Sequence, residues 1–192
     1  MIRVGNSARR YGAVAIALHW LMALLLVTLI VLGLYMTALP DVDFDSRKIW
    51  LIIYHKELGM LALILVALRL PWRLANMLPA LVGTLPDWQK VIARFVHLCF
   101  YALMFALPLT GWLMSSASGI PVFVGPFTLP DLVGHNDSLF HTFIQIHKWL
   151  SYALIALFCA HSGAALRHHL LLKDATLKKM LPGAEAARRR AP

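Results

Sequence analysis

Apolar positions crowd into four stretches of this chain, and charges gather between them. Ala13 to Leu39 contains no Asp, Glu, Lys or Arg. Ile49 to Leu70 is apolar apart from Lys56, Glu57 and Arg69. Phe95 to Ala117 is again uncharged. Trp149 to Leu166 reads as continuous with a helix from about Phe140. Each stretch reaches or approaches the ~20 residues that carry a helix across ~30 Å of hydrocarbon. In lipid the backbone must satisfy its own hydrogen bonds, so the stretches are helices and not loops. The pattern predicts an all-α fold, an integral membrane four-helix bundle with helices near 11–39, 49–71, 91–117 and 139–171. Residues 1–181 form the membrane domain in this reading, and 182–192 a basic, disordered tail. Pro108 is expected to kink the third helix.

The connections are short. Residues 40–48 are polar, and 71–92 contain Pro71, Pro79 and Pro86. Residues 118–138 hold three prolines and three glycines and read as an ordered cap with a short surface helix. The first apolar run is too long for a signal-peptide core, so it is expected to stay as a helix.

Composition agrees: 60% of the 192 residues are hydrophobic and the mean hydropathy is +0.71, well above a soluble domain. The net charge of +9 is mostly a topology signal. Four spans put both termini on one side, with Arg3, Arg9, Arg10, Arg69, Arg73, Lys90, Arg94, Arg167, Lys173, Lys178, Lys179 and Arg188–Arg190. The other side keeps Arg47, Lys48, Lys56 and Lys148. The positive-inside rule then predicts both termini cytoplasmic. Charges scattered around membrane ends argue against nucleic acid as a partner. Cys99 and Cys159 lie within spans and read as small packing residues. No C-x-x-C-H occurs, so covalent haem attachment is not indicated.

The histidines carry the chemistry. His147 and His161 are fourteen residues apart. That spacing is about 40° short of four helical turns and about 21 Å of rise, so both leave one helix face near opposite membrane surfaces. The first helix enters from the cytoplasm with His19 near its start. The second enters from outside with His55 near its start. Depth pairs His19 with His161 and His55 with His147. Neutral imidazoles from two helices suit the two axial positions of a haem iron, held in a bundle core. Zinc sites want three or four ligands. A cation transporter calls for intramembrane carboxylates, which are scarce here. The reading is two noncovalent haems b. Gly59, one turn after His55, leaves room for a flat macrocycle or for ordinary helix packing. Lys56, Lys148 and Arg47 outside, and Arg9, Arg10, Arg69 and Arg73 inside, are candidates to pair with haem carboxylates.

The segments IALHW (16–20), YHKELG (54–59), VALRLPWR (66–73), HLCFYALMFALPLTGWLM (97–114), IHKWLSYALIALFCAH (146–161) and HHLLLKDATLKKMLP (168–182) resemble the bacterial cytochrome b561 family over nearly the whole chain. The resemblance implies a dihaem protein of the bacterial inner membrane with axial ligands at His19, His55, His147 and His161. It implies electron transfer with the quinone pool, ubiquinone being the expected substrate. Some members resemble superoxide oxidases; others relay electrons as noncatalytic anchor subunits for a dehydrogenase or a periplasmic redox protein.

Two histidines per iron leave no open position for oxygen, so outer-sphere electron transfer remains. His168, seven residues beyond His161, and His97, at the start of the third helix, are candidates for a quinone and proton site. Depth alone does not separate His97 from His19 as inner ligand; the family pattern favours His19. His169 lies on another face, and His135 and His141 receive no role. Arg47, Lys48, Lys56 and Lys148 can steer an anionic donor such as superoxide, opposed by Asp41, Asp43 and Asp45.

Overall fold

The computed structural model describes residues 4–8, 10–40, 46–80 and 86–181. Four long helices carry the chain: α1 (Ala13–Ala38), α2 (Ser46–Ala75), α3 (Asp87–Ala117) and α4 (Asp137–Leu170). Each is long and apolar enough to cross a bilayer. Helix α1 packs on α2, α2 on α3 and α3 on α4, forming an antiparallel bundle. Both described chain ends lie at the end where α1 begins and α4 finishes, here termed proximal; the opposite end is distal. The tail expected to be disordered, 182–192, lies outside the described residues, as do Arg3, Arg9 and the aspartates at 41, 43 and 45.

The helices overrun the apolar pattern. Helix α2 continues past Pro71 to Ala75, although the sequence pattern ends at 71. Proline has a helical φ and loses only one amide bond, a loss that neighbours in a bundle can absorb. Helix α3 starts at Asp87, directly after Pro86, and contains Pro108. Helix α4 starts at Asp137 because the Asn136 side chain caps it, accepting from the Leu139 amide at 3.0 Å.

One seven-residue repeat organises α4: His147, Leu154, His161 and His168. Seven residues fall about 20° short of two turns, so these side chains share a stripe. Leu154 sits midway between the first two histidines and is buried. Around it close Met22, Leu25 and Leu26 of α1, Ala62 and Val66 of α2, and Met104 and Leu107 of α3. Lipid is as apolar as these side chains, so their contribution is close packing and not escape from water.

Residues 118–136 cover the distal end. A hairpin of β1 (Phe123–Val124) and β2 (Phe127–Thr128) stands where a short surface helix was expected. Gly119 (φ 71°) and Gly125 (φ 56°) take left-handed conformations that break a helix and turn the chain. Helix ends tie the cap down. Ser115 Oγ donates to Ile120 O (2.6 Å), and Ser116 Oγ accepts from the Leu132 amide (3.1 Å). Trp112 Nε1 donates to Pro130 O (3.1 Å) and Lys56 Nζ to Pro121 O (3.2 Å).

The proximal end is closed by three segments meeting. The Ala80 amide donates to Ala8 O (3.1 Å), Lys179 Nζ to Ala80 O (2.6 Å) and Trp20 Nε1 to Met180 O (2.7 Å). Met180 ends a short 3-10 helix, Leu177–Met180. Gly12 lets the N-terminal arm fold back: a Cβ there would lie 2.3 Å from Val4 O.

Ser116 is 1% exposed, and its hydroxyl holds the Leu132 amide. Ser116→Ala should cost on the order of 1–2 kcal/mol by leaving that donor unpaired. Limited proteolysis should then cut within 118–136 faster than in the parent while the helices stay protected. An unchanged cutting rate would mean the bond does not hold the cap.

Candidate functional site: two histidine pairs

The proximal pair is His19 of α1 and His161 of α4, with ring centroids 6.3 Å apart. The distal pair is His55 of α2 and His147 of α4, also 6.3 Å apart. The pairs thus bridge from α4 to helices other than its main packing neighbour, α3. The structure brings together both pairs that depth suggested, and it sets His97, at the same depth as His19, beside His161 as well.

The spacing can be tested against a metal clasped between two imidazoles. A metal–imidazole bond is about 2 Å, and the ring centroid lies about 1 Å behind the nitrogen. Two rings in line across one ion are therefore about 6 Å apart, as both pairs are. Among the described residues no three His, Cys, Asp or Glu side chains converge as a bare-metal site would need. Two imidazoles and no third ligand suit an ion whose remaining positions come with it, as in a macrocycle.

Glycines and a threonine shape the distal pair. A Cβ on Gly33 of α1 would lie 3.3 Å from His55 Cε1, and one on Gly111 of α3 would lie 3.5 Å from His147 Cε1. Thr110 Oγ1 lies 3.1 Å from His147 Nδ1 and 2.9 Å from Leu107 O. His55 Nδ1 is buried without a protein partner. Gly59 faces open space, with nothing within 4 Å of a Cβ built there, so no helix packs against it. Lys56 is held by the cap, and Lys148 is exposed.

The proximal pair has charged company. Arg69 places Nη2 3.0 Å from His19 Nδ1. Arg69 and Arg73 both stack on the Tyr101 ring, at 5.9 and 5.5 Å. With Asn6, Tyr11 and Trp72 they line one pocket beside Leu18. Trp72 Nε1 is buried there without an acceptor. The pocket is rich in donors and suits an acidic group. Burial raises the pKa of Tyr11 above its ordinary value, with Arg73 acting against it. The hydroxyl of Tyr11 therefore stays protonated, another donor.

His97 sits 5.6 Å from His161, closer than His19 does. Its Nδ1 donates to Ala93 O on its own helix at 2.6 Å, which leaves a lone pair on Nε2. Phe100 fills the remaining flank of His161 at 5.3 Å.

His168 has a partner that sequence reading did not assign. Its Nδ1 is 2.5 Å from Asp174 Oδ2, and both side chains are about 15% exposed. Asp174 also accepts from the Thr176 amide at 2.8 Å. Burial pushes the Asp174 carboxyl up, but bonds from Thr176 and His168 outweigh it and hold the pKa below the ordinary carboxylate value. An Asp six residues past His168 and two before a threonine was a legible turn signal. Thr110, Gly33 and Gly111 had no such signal, because they meet their histidines only across helices. His169 Nδ1 is buried without a partner, and His135 lies 3.8 Å from Asp137 in the cap.

The chain is similar to known proteins over most of its length. The family described as prokaryotic cytochrome b561 matches residues 10–183. Cytochrome b561 homolog 2 of Escherichia coli K12 is 33% identical over 177 residues, covering 92% of this chain and 93% of its own. Homolog 1 of the same organism is 34% identical over 131 residues, covering 67% of this chain and 73% of its own. A probable superoxide oxidase, CybB, of Yersinia pestis is 28% identical over 177 residues, covering 91% of this chain and 97% of its own.

Two outcomes follow from these contacts. Gly33→Ala must push the His55 ring by a few tenths of an ångström, whereas Gly111→Ala adds only an ordinary contact to His147. Haem content of the purified variants should fall for Gly33→Ala and hold for Gly111→Ala; equal contents would contradict the crowding. Asp174 has a folded-state pKa below its unfolded value, so its stabilisation is complete above the ordinary carboxylate pKa. It is lost as pH falls through the lower folded value. Amide exchange at Thr176 should therefore rise on acidification below about pH 4, and Asp174→Asn should remove that dependence.

Proposed function

The chain belongs to the prokaryotic cytochrome b561 family, multi-pass proteins of the bacterial inner membrane that move electrons across it by b-type haem, and from that premise we propose that it holds two haems b. His55 and His147 ligate one, and His19 and His161 the other. The observation that carries this reading is the shared 6.3 Å spacing of two imidazole pairs at opposite ends of one helix stripe. Haem supplies a one-electron couple at each end. The residues supply position, charge and insulation: the paired histidines would hold the haems, and Leu154, Val66 and Met104 keep water from the middle.

The proximal end faces the cytoplasm in this reading. Arg10, Arg69, Arg73, Lys90, Arg94, Arg167, Lys173, Lys178 and Lys179 flank it, against Arg47, Lys48, Lys56 and Lys148 at the distal end. The donor is a one-electron reductant outside, superoxide being supported by the similarity to the Yersinia protein. Basic residues at the distal end attract that anion. The acceptor is ubiquinone at the proximal end. Two superoxide ions each lose one electron and leave as O2; the quinone takes both electrons and two protons and leaves as quinol. His168 passes those protons: Asp174 accepts from its Nδ1–H, which leaves the Nε2 lone pair to take a proton from the aqueous side and hand it to a quinone oxygen. Arg69, Arg73, Tyr11 and Trp72 would hold the carboxylates of the proximal haem.

A pyridine haemochrome assay on purified protein should give two noncovalent haems b per chain. His55→Ala or His147→Ala should lose one haem, and His19→Ala or His161→Ala the other. With superoxide and a quinone, the protein alone should turn over. His168→Gln should slow quinone reduction about 10²-fold while haem content and superoxide-driven haem reduction stay unchanged. A single haem per chain would overturn the two-site reading. Two haems without turnover would make the protein a relay for a partner enzyme.

A further inference from the structure

The two pairs differ in where their protons sit. Thr110 has one hydroxyl proton, which goes to Leu107 O at 2.9 Å. Toward His147 Nδ1, at 3.1 Å, its oxygen can therefore only accept. His147 must carry its proton on Nδ1, leaving a lone pair on Nε2. That is the tautomer a metal-bound imidazole needs, with the second nitrogen anchored to an acceptor.

His19 is set the opposite way. An arginine guanidinium has five donors and no acceptor. Arg69 at 3.0 Å from His19 Nδ1 therefore requires a lone pair on Nδ1 and a proton on Nε2. Nε2 then cannot bind iron. Moving the proton to Nδ1 would aim two donors at each other. Iron on His19 Nε2 and Arg69 on His19 Nδ1 exclude one another. Arg69 has somewhere to go: the donor-rich pocket it lines with Arg73, Tyr11 and Trp72, where an acidic group would draw it.

We propose that Thr110 primes the distal pair and Arg69 latches the proximal pair, so that the distal site takes its haem first and proximal loading requires Arg69 to leave His19. The proposal rests on the two-haem reading. It makes Thr110 and Arg69 positioning residues, one for a ligand and one against a ligand.

The test uses full-length protein made under limiting haem supply. His19→Ala and His55→Ala protein, each with one pair intact, give reference spectra for the distal and proximal sites. Wild-type protein with about one haem per chain should show the distal spectrum. Arg69→Met should raise the proximal share of the haem bound under the same supply. Thr110→Val should weaken distal retention 10- to 100-fold, the usual effect of losing a partner to a ligating histidine. The readout is the rate of haem loss to excess apomyoglobin. Thr110→Ser, which keeps the hydroxyl, should restore retention. Thr110→Val should also shift the electron paramagnetic resonance signal of the distal haem, which a loosened fold would not do selectively. Even filling or proximal-first filling of the wild type would overturn the loading order. A distal signal and retention unchanged in Thr110→Val would overturn the role of Thr110. Absence of haem from every protein, made with ample supply, would instead sink the two-haem reading beneath it.

Discussion

A chain in hydrocarbon has to close its own backbone hydrogen bonds, and everything else here follows from that constraint. It makes the spans helices, and a helix fixes rise and rotation together. Residues fourteen apart on α4 must then appear on one face, about 21 Å apart. His147 and His161 use that rule to reach both ends of the bundle from one element. His19 and His55 need only sit early in helices that enter from opposite sides. No loop has to hold a ligand, so both sites inherit the stiffness of the helices.

The same constraint governs the polar groups. Few polar side chains are buried, and those that are have work to do at the helix ends. Ser115 and Ser116 finish α3 and fasten the distal cap through Ile120 and Leu132. Asn136 starts α4 as soon as the cap ends. At the proximal end Trp20, Lys179 and Ala80 join three segments that are far apart in sequence. Between these ends the core is Leu, Met, Val and Ala. A dry middle between two polar ends is the arrangement that electron transfer across a membrane needs, since no water-filled path for protons accompanies the electron.

The two ends are chemically unequal. The distal site has glycines beside its rings and a hydroxyl that sets one tautomer. The proximal site has two guanidiniums, a tyrosine pocket, and a His–Asp dyad one repeat further along α4. The donor-rich pocket and the His168–Asp174 pair lie at the proximal end. That inequality gives the bundle a direction which its near-symmetric histidine pairs do not.

Much of this was legible in the chain. Hydropathy gave the four helices, because lipid forces a long apolar run. Helix periodicity paired the histidines by depth, because rise and rotation are fixed by the backbone. The helix ends were less legible: α2 runs on through Pro71 because neighbouring helices tolerate one missing amide bond, and Gly119 and Gly125 turn the distal cap into a hairpin where a helix was expected. Least legible were the contacts that cross between helices. Thr110 lies 37 residues from His147 and Arg69 lies 50 from His19. Sequence by itself determined which residues are at which depth, through the geometry of a single helix. Only the tertiary structure decided which donors and acceptors meet each histidine, because hydrogen-bond partners on different helices are set by how the helices rotate and pack.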